Sequence, residues 1–418
     1  MKERRPKLLF DGRSGESLTY DDLRRELANE VVFLNPVCRP QSAVEAVRAF
    51  VKAVVTGQEL VLLDPAQTEA EISAMGFSPK NLSRREEVRG KKLPEDPVAW
   101  WDIFSEEENS FKLTLFTSGT TGQPKRAVHS LKSLARMVRR SSTQQSSVWG
   151  MGYHPTHIAG IQVLVQALAN GNPLVLLHGI DGESSLSLMA KEKITHLAAS
   201  PSFFRQIPKG SPPSTTVRSL TLGAEPARQE DFSRLRDLFP QARLRNAYAS
   251  TEAGTLLMGE EEVLTIPPES KELVRIQDGQ IFVAASAWRA TLKDRVGEDW
   301  IPTGDRVEWV DHKPGWFRIL GRQEDSISTG GWQVNPHEVE AALREFPGIK
   351  DCRVYGRKNS LLGNVVAADI VTSDSSKGVM DSDIRRFLAD RLQNHKLPRF
   401  IRRVAEVPRT RTGKIRRL

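Results

Sequence analysis

The sequence predicts an α/β chain: a large first domain of mostly parallel, doubly wound sheets with a β-rich part, followed by a small α+β domain. Three observations carry this. From Leu113 to Leu238 short apolar runs alternate with helical patterns, as in strand–helix–strand units on a parallel sheet. From Ile281 to Ile319 the segments become shorter and are punctuated by Trp and Gly, which reads as antiparallel β. After Gly321 two helical and two strand patterns make a compact unit of their own. A length of 418 residues predicts two to three domains at roughly 100–200 residues each. We set the boundary after Leu320, giving domains 1–320 and 321–418.

Element by element, Leu18-Thr-Tyr-Asp-Asp-Leu opens a helix with Thr19 as its cap and acids in the first turn, where the helix dipole favours them. A second helix is expected over Ala43–Thr56, then a strand over Glu59–Asp64. The parallel-sheet strands are read at Leu113–Phe116, Pro173–Leu177, His196–Ala199 and Ser219–Leu222. The intervening helices are read at Leu131–Arg140, Ile161–Ala169 and Glu230–Leu238. The last unit reads as helix Pro336–Glu345, strands Asp351–Gly356 and Asn364–Val371, and helix Asp381–Gln393.

Composition excludes several classes. Cys38 and Cys352 are the two cysteines and lie far apart, so neither a disulfide framework nor a CxxC metal site is available. The basic start runs straight into Lys7-Leu-Leu-Phe-Asp-Gly with no apolar signal core. The most apolar stretch, Ala159–Leu177, is interrupted by Gln162, Gln166, Asn170, Gly171, Asn172 and Pro173, too broken for a span of about 20 apolar residues. A soluble, cytoplasmic protein without stable membrane insertion is expected. The formal net charge is +8, and residues 321–418 carry 19 Lys+Arg against 12 Asp+Glu. A basic end can serve nucleic acid, phosphorylated small molecules or plain solvation. Neither aromatic interleaving nor helix-turn-helix or zinc-finger spacing accompanies it, so no nucleic-acid partner is expected.

The chemistry begins at Phe116-Thr-Ser-Gly-Thr-Thr-Gly-Gln-Pro-Lys-Arg126, directly after an apolar strand. Gly119 and Gly122 permit close backbone approach, Thr117, Ser118, Thr120 and Thr121 offer hydroxyls, and Lys125 offers a point charge. Together these suit phosphate oxygens. The spacing is not that of a Walker A loop, and a Ser/Thr/Gly surface turn is the plainer alternative. This segment resembles the signature of adenylate-forming enzymes, [YF]-T-S-G-T-T-G-x-P-K-G, at ten of eleven positions, departing at Arg126. The family comprises acyl- and aryl-CoA ligases, carrier-protein adenylation domains and luciferases.

Further segments resemble the family's elements in the same order. Pro155-Thr-His-Ile-Ala-Gly160 resembles the element in which His157 closes the acyl pocket; by itself such a histidine more often packs or caps. Leu222-Gly223-Ala224-Glu225-Pro226 resembles the strand end that lines the adenine. Asn246-Ala-Tyr248-Ala-Ser-Thr251-Glu252 resembles N-x-Y-G-x-T-E with Ala249 in place of glycine. There Tyr248 offers a flat face to the purine, Thr251 a hydroxyl to the α-phosphate, and Glu252 a hard oxygen for Mg²⁺, which favours carboxylate plus phosphate ligands. Thr303-Gly-Asp305 resembles the motif whose aspartate takes the ribose hydroxyls, a fit of two acceptor oxygens to a diol. Gly321-Arg322-Gln-Glu324-Asp-Ser-Ile-Ser-Thr-Gly330-Gly331 resembles the domain hinge. By that resemblance Arg322 contacts ribose, Glu324 stands where Asp or Lys is usual, and Gly330 and Gly331 face the thioester step. Pro408-Arg-Thr-Arg-Thr-Gly-Lys414 resembles the closing motif, whose lysine bridges carboxylate and α-phosphate.

The resemblance implies ATP, Mg²⁺ and coenzyme A as reactants, a small mobile C-terminal domain, and an acid activated as its adenylate. The part before the phosphate loop is shorter than usual for the family. The compact length resembles the o-succinylbenzoate–CoA ligase branch of menaquinone and phylloquinone biosynthesis. Another aryl- or fatty-acyl-CoA ligase, or an enzyme loading a carrier-protein thiol, stays open. In His196-Leu-Ala-Ala-Ser200-Pro-Ser202-Phe-Phe-Arg205, Ser200, Ser202 and Arg205 could meet a second carboxylate, or Ser-Pro could simply cap a helix. The assembly state, including a homodimer, is also open.

Overall fold

The structure is a computed structural model and describes residues 7–118, 124–225, 227, 229–288, 299–322, 327–329, 332–359, 363–373, 380–409 and 415. The side chains of Ala70, Thr117, Ser118, Pro124, Lys125, Arg322, Ser328, Trp332 and Gln333 lie outside that description. The chain divides into two compact units, Met1–Arg275 with Val283–Ile301, and Ile276–Phe282 with Pro302–Leu418.

In the first unit, helices begin where sequence chemistry places caps. Thr19 and Asp22 form a reciprocal capping box before helix Tyr20–Leu27, and Ser42 caps Ala43–Thr56 by accepting from the Glu45 amide. The second of these buries Ala46, Val47, Phe50, Val51, Ala53 and Val54, a stripe that stabilises by removing apolar surface from water.

Six parallel strands form the centre of this unit's larger sheet, in the order Arg243–Ser250, Ser219–Leu222, His196–Ala199, Trp149–Met151, Leu174–Leu176 and Lys7–Asp11. Gly254–Glu260 and Val263–Thr265 extend one side antiparallel, and Ser17–Thr19 the other. Alternation sorts the two faces: Met151, Leu174, Leu176 and Ala198 join one core, while Val175, Leu197, Ala199, Leu220 and Leu222 join another. Burial on both faces explains why these strands read as continuous apolar runs. A second sheet runs Val37–Cys38, Glu59–Leu62, Lys112–Ser118 and Pro124–Ser130, the last pair antiparallel.

The structure differs from the sequence reading at two points. Pro124–Ser130, which the sequence reading assigned to no element, is a strand paired antiparallel with Lys112–Ser118. The helix expected over Leu131–Arg140 stops at Leu134. Beyond it Gln166 and Asn170 take over the Arg139 backbone: the amide donates to Gln166 Oε1 at 2.9 Å, and the carbonyl accepts from both side chains at 2.9 Å. Tertiary bonds thus replace helical ones.

The second unit contains the strand pair formed by Trp300–Trp309 from Pro302 onward and Trp316–Arg322, confirming the antiparallel reading. Its other sheet runs Trp332–Val334, Ile327–Thr329, Gly363–Thr372, Ile349–Asn359, with Phe400–Arg403 parallel to Gly363–Thr372. Helices Pro336–Arg344 and Asp381–Ala389 bury Val339, Leu343, Ile384 and Leu388 in one core with Cys352, Val354, Val366, Ala368 and Ile370. Among the described residues no helix is long and apolar enough to cross a membrane.

Candidate active site

Within the first unit, four loops leave the carboxyl ends of parallel strands: Tyr153 follows Trp149–Met151, Ser200 follows His196–Ala199, Gly223 follows Ser219–Leu222, and Thr251 follows Arg243–Ser250. Open α/β sheets hold ligands at that edge.

The phosphate hairpin is framed by the register Thr117↔Lys125 and Ser118↔Pro124. Gly119, Thr120, Thr121 and Gly122 lie outside the described residues. Arg126, the departure from the family pattern, is an ordinary strand residue opposite Phe116, and its guanidinium reaches the Thr114 hydroxyl at 3.4 Å. Three positions along, His129 is 0% exposed and its Nε2 stands 2.6 Å from the Thr251 carbonyl oxygen.

Thr251 and Glu252 lie on the turn joining Arg243–Ser250 to Gly254–Glu260. The Ala253 amide donates to Ser250 Oγ at 3.1 Å, and Arg136 donates to the Ala253 and Thr255 carbonyls at 3.0 and 3.2 Å. Gly254 has φ +70°, and a Cβ there would also stand 3.2 Å from Gln162 Nε2. Glycine is the residue that meets both demands. Tyr248 precedes a register shift in the same strand pair. Glu252 places one carboxylate on this turn, a hard-oxygen donor of the kind that could hold Mg²⁺ beside phosphates. No group of three or more His, Cys, Asp or Glu with metal-site geometry occurs among the described residues.

At the adenine-type strand end, Ala224 adopts φ +68°. Glu225 accepts from the Ser202 amide at 3.0 Å and hydroxyl at 2.7 Å, with Arg205 at 3.8 Å. Tyr153 sits beside Gly223; burial and then the Glu225 charge push its phenol above the usual range. Ser200 caps helix Pro201–Arg205 by accepting from the Phe203 amide at 3.2 Å. Arg205 makes a two-pronged pair with Asp231, at 2.8 and 2.6 Å. The three polar residues read from sequence as meeting a carboxylate are thus engaged with a cap, Glu225 and Asp231.

His157 Nε2 lies 3.0 Å from Asp64 Oδ2, and the hydrogen bond from His157 holds the Asp64 carboxyl down to about 2, assisted by the Ala66 amide and opposed by burial. Beside it His154 takes the Thr156 amide at 3.3 Å and stacks edge-on against His178 at 5.5 Å. Burial first, then the positive potential of His157 and His178, lowers His154 to about 4. Gly160 is required beneath them, since a Cβ there would meet the His154 carbonyl oxygen at 2.2 Å.

In the second unit Asp305 is 6% exposed and is the register partner of Arg322. Its amide donates to Thr303 Oγ1 at 3.1 Å, and Thr303 donates to the Ile281 carbonyl at 3.1 Å. Asn335 caps helix Pro336–Arg344 and donates to the Leu320 carbonyl at 2.6 Å. Glu324, Gly330, Gly331 and Lys414 lie outside the described residues, as do the side chains of Lys125 and Arg322. Residues that sequence reasoning missed are His129, Arg136, Tyr153, His154 and His178; Asp64 was read only as the end of the strand over Glu59–Asp64.

The parallel α/β core with its ligand loops at the carboxyl edge, followed by a small α+β unit, matches known proteins. The AMP-binding enzyme family matches residues 31–277, and its C-terminal domain family matches residues 338–414. The chain belongs to the AMP-binding enzymes. It is 26% identical over 334 residues to a 2-succinylbenzoate–CoA ligase of Listeria monocytogenes, covering 72% of this chain and 68% of the relative. Its fold is similar to o-succinylbenzoate CoA synthetase from Bacillus subtilis, whose structure holds the acyl-adenylate intermediate. The TM-score is 0.75 at 18% identity, covering 99% of this chain and 95% of that one. ATP-bound MatB from Rhodopseudomonas palustris is similar at TM-score 0.72 and 19% identity, covering 99% and 95%.

Proposed function

We propose that the protein is an ATP-dependent, AMP- and pyrophosphate-forming carboxylate–CoA ligase, with o-succinylbenzoate as its acid. The observation that carries the chemistry is the phosphate signature on a hairpin whose buried His129 reaches the carbonyl of Thr251, joining two loops of the same family motif set. The relatives' activity on 2-succinylbenzoate supports the choice of acid.

In the first step a carboxylate oxygen bonds to the α-phosphorus of ATP and the bond to pyrophosphate breaks. Thr117, Ser118, Gly119, Thr120, Thr121, Gly122 and Lys125 hold the phosphates, Thr251 meets the α-phosphate, and Glu252 would hold Mg²⁺. Bound Mg²⁺ neutralises phosphate charge. Gly223, Ala224, Glu225 and Tyr248 serve the adenine, Asp305 and Arg322 the ribose, and Lys414 bridges the reacting carboxylate and phosphate. Such catalysis rests on positioning and charge stabilisation. In the second step the thiol sulfur of coenzyme A bonds to the acyl carbon, AMP leaves, and the thiol proton is released. Glu324 is the hinge for the change between steps, a domain movement of an established kind, with Gly330 and Gly331 then facing the thioester site. His157 closes the acyl pocket, and Ser200, Ser202 and Arg205 border it. The buried free cysteines Cys38 and Cys352 suit a reducing cytoplasm.

The test is AMP release over a carboxylic-acid panel containing o-succinylbenzoate, aryl and fatty acids, with coenzyme A or a carrier protein as acceptor. Coenzyme A-dependent turnover led by o-succinylbenzoate is expected. Turnover led by another acid moves the substrate, and carrier-only release moves the acceptor.

A further inference from the structure

We infer that His129 is a positioning residue for adenylate formation: by donating its Nε2 proton to the Thr251 carbonyl, it fixes the Thr251–Glu252 turn to the phosphate-loop hairpin. This rests on the reading above, in which Thr251 and Glu252 face the α-phosphate and Mg²⁺.

His129 is 0% exposed, and an imidazole so buried must spend its polar atoms inside the protein. Its Nε2 lies 2.6 Å from the Thr251 oxygen, a short contact that fixes the carbonyl's direction. The carbonyl is an acceptor, so the ring nitrogen carries the proton. His129 stands on the return strand Pro124–Ser130, the same strand that carries Lys125, so the bond ties that strand to the Thr251–Glu252 turn. The neighbouring carbonyls are held from the same stretch of chain: Arg136 donates to those of Ala253 and Thr255. Alternate carbonyls of the turn, those of Thr251, Ala253 and Thr255, are therefore secured by His129 and Arg136, which leaves the Thr251 and Glu252 side chains as the groups to be aimed. A displacement of the turn by a fraction of an ångström would misplace both, and positioned groups lose catalytic effect steeply with such shifts.

His129→Leu fills the volume without a donor, and His129→Gln keeps a donor of similar reach. We expect His129→Leu to lower kcat/KM for MgATP in acid-dependent pyrophosphate exchange by roughly 10- to 100-fold, the scale of one lost hydrogen bond in a transition state. The KM for the acid should stay within about twofold, and His129→Gln should recover most of the loss. Thermal midpoints measured alongside separate folding from catalysis. The wild-type enzyme supplies a readout that needs no variant: the buried His129 Nε2 proton, observed by NMR, should shift when AMP is added. A folded His129→Leu protein with unchanged kcat/KM would overturn the inference, and so would an NMR signal unmoved by AMP. Thr251→Val separates the levels. If it leaves exchange unchanged, the site reading fails; if it lowers exchange while His129→Leu does not, only the inference fails.

Discussion

The imidazole of His157 and the carboxylate of Asp64, 93 residues apart in sequence, are joined by a 3.0 Å contact. Asp64 is itself tied to the Ala66 amide at 2.8 Å, and His157 stands directly before helix Ile158–Leu168. A loop of the smaller sheet is thereby fastened to the helix that borders the carboxyl edge of the larger one. Because Asp64 is held at about 2 in the folded protein against 3.8 unperturbed, its stabilising contribution is complete above about pH 4 and disappears as pH falls through 2. Asp64→Asn should cost roughly 1–2 kcal/mol at pH 7, after allowance for partial exposure. Urea denaturation at pH 7, 4 and 3 checks this: the gap between wild type and variant should narrow on acidification.

Arg205 separates a structural from a recognitive role. Its partner Asp231 and the adjacent Glu225 have side-chain exposures of 11% and 9%. Removing the guanidinium takes the positive charge away from both poorly solvated carboxylates. Arg205→Ala should therefore destabilise the protein by about 2–4 kcal/mol, read as a lower denaturation midpoint. An unchanged midpoint with a weakened KM for the acid would assign Arg205 to substrate and not to the fold.

Ala224 lies in left-handed backbone at φ +68°, where a β-carbon is strained and glycine is not. Ala→Gly substitutions elsewhere usually cost stability; here relief of strain offsets the added freedom of the unfolded chain. Ala224→Gly should be neutral or stabilising by up to about 1 kcal/mol. A loss of that size in thermal or urea melts would contradict the geometry.

In the second unit Asp369 is 0% exposed and accepts from Arg353 Nε at 3.1 Å and Arg402 Nε at 2.8 Å. Burial raises its carboxyl, but the two guanidinium hydrogen bonds outweigh burial and hold it below 3.8. Asp369→Asn removes the buried negative charge that Arg353 and Arg402 share and should cost roughly 3 kcal/mol at pH 7. The sign follows the depressed carboxyl: the wild-type advantage persists above about pH 4 and fades below it. Denaturation midpoints of both proteins across that range give the comparison.

Much of this fold is local in origin, and so legible. Helix Ala43–Thr56 appears with the bounds its caps dictate, and strands His196–Ala199 and Ser219–Leu222 appear as read, because apolar period and cap chemistry act over a few residues. The return strand Pro124–Ser130 was hidden because its Pro-Lys-Arg start is polar and its pairing depends on Lys112–Ser118 across the hairpin. The shortened helix at Leu131 depends on Gln166 and Asn170, which no local pattern reveals. In the site, motif residues were legible one by one, whereas their ties were not. Asp64 to His157 and His129 to Thr251 span 93 and 122 residues of sequence.

In the proposed function Lys414 serves adenylation alone. Lys414→Ala should abolish acid-dependent pyrophosphate exchange while retaining, within about threefold, thioester formation from synthetic acyl-adenylate and coenzyme A. Equal loss of both steps would remove that assignment.

The central claim, acid activation by adenylation followed by transfer to coenzyme A, is tested most directly by following ATP–pyrophosphate exchange with o-succinylbenzoate before and after coenzyme A is added. The account predicts exchange that requires the acid but not coenzyme A, then stoichiometric AMP and o-succinylbenzoyl-CoA once the thiol is supplied. Exchange that is absent with every acid, or AMP formed with no thioester, would contradict it.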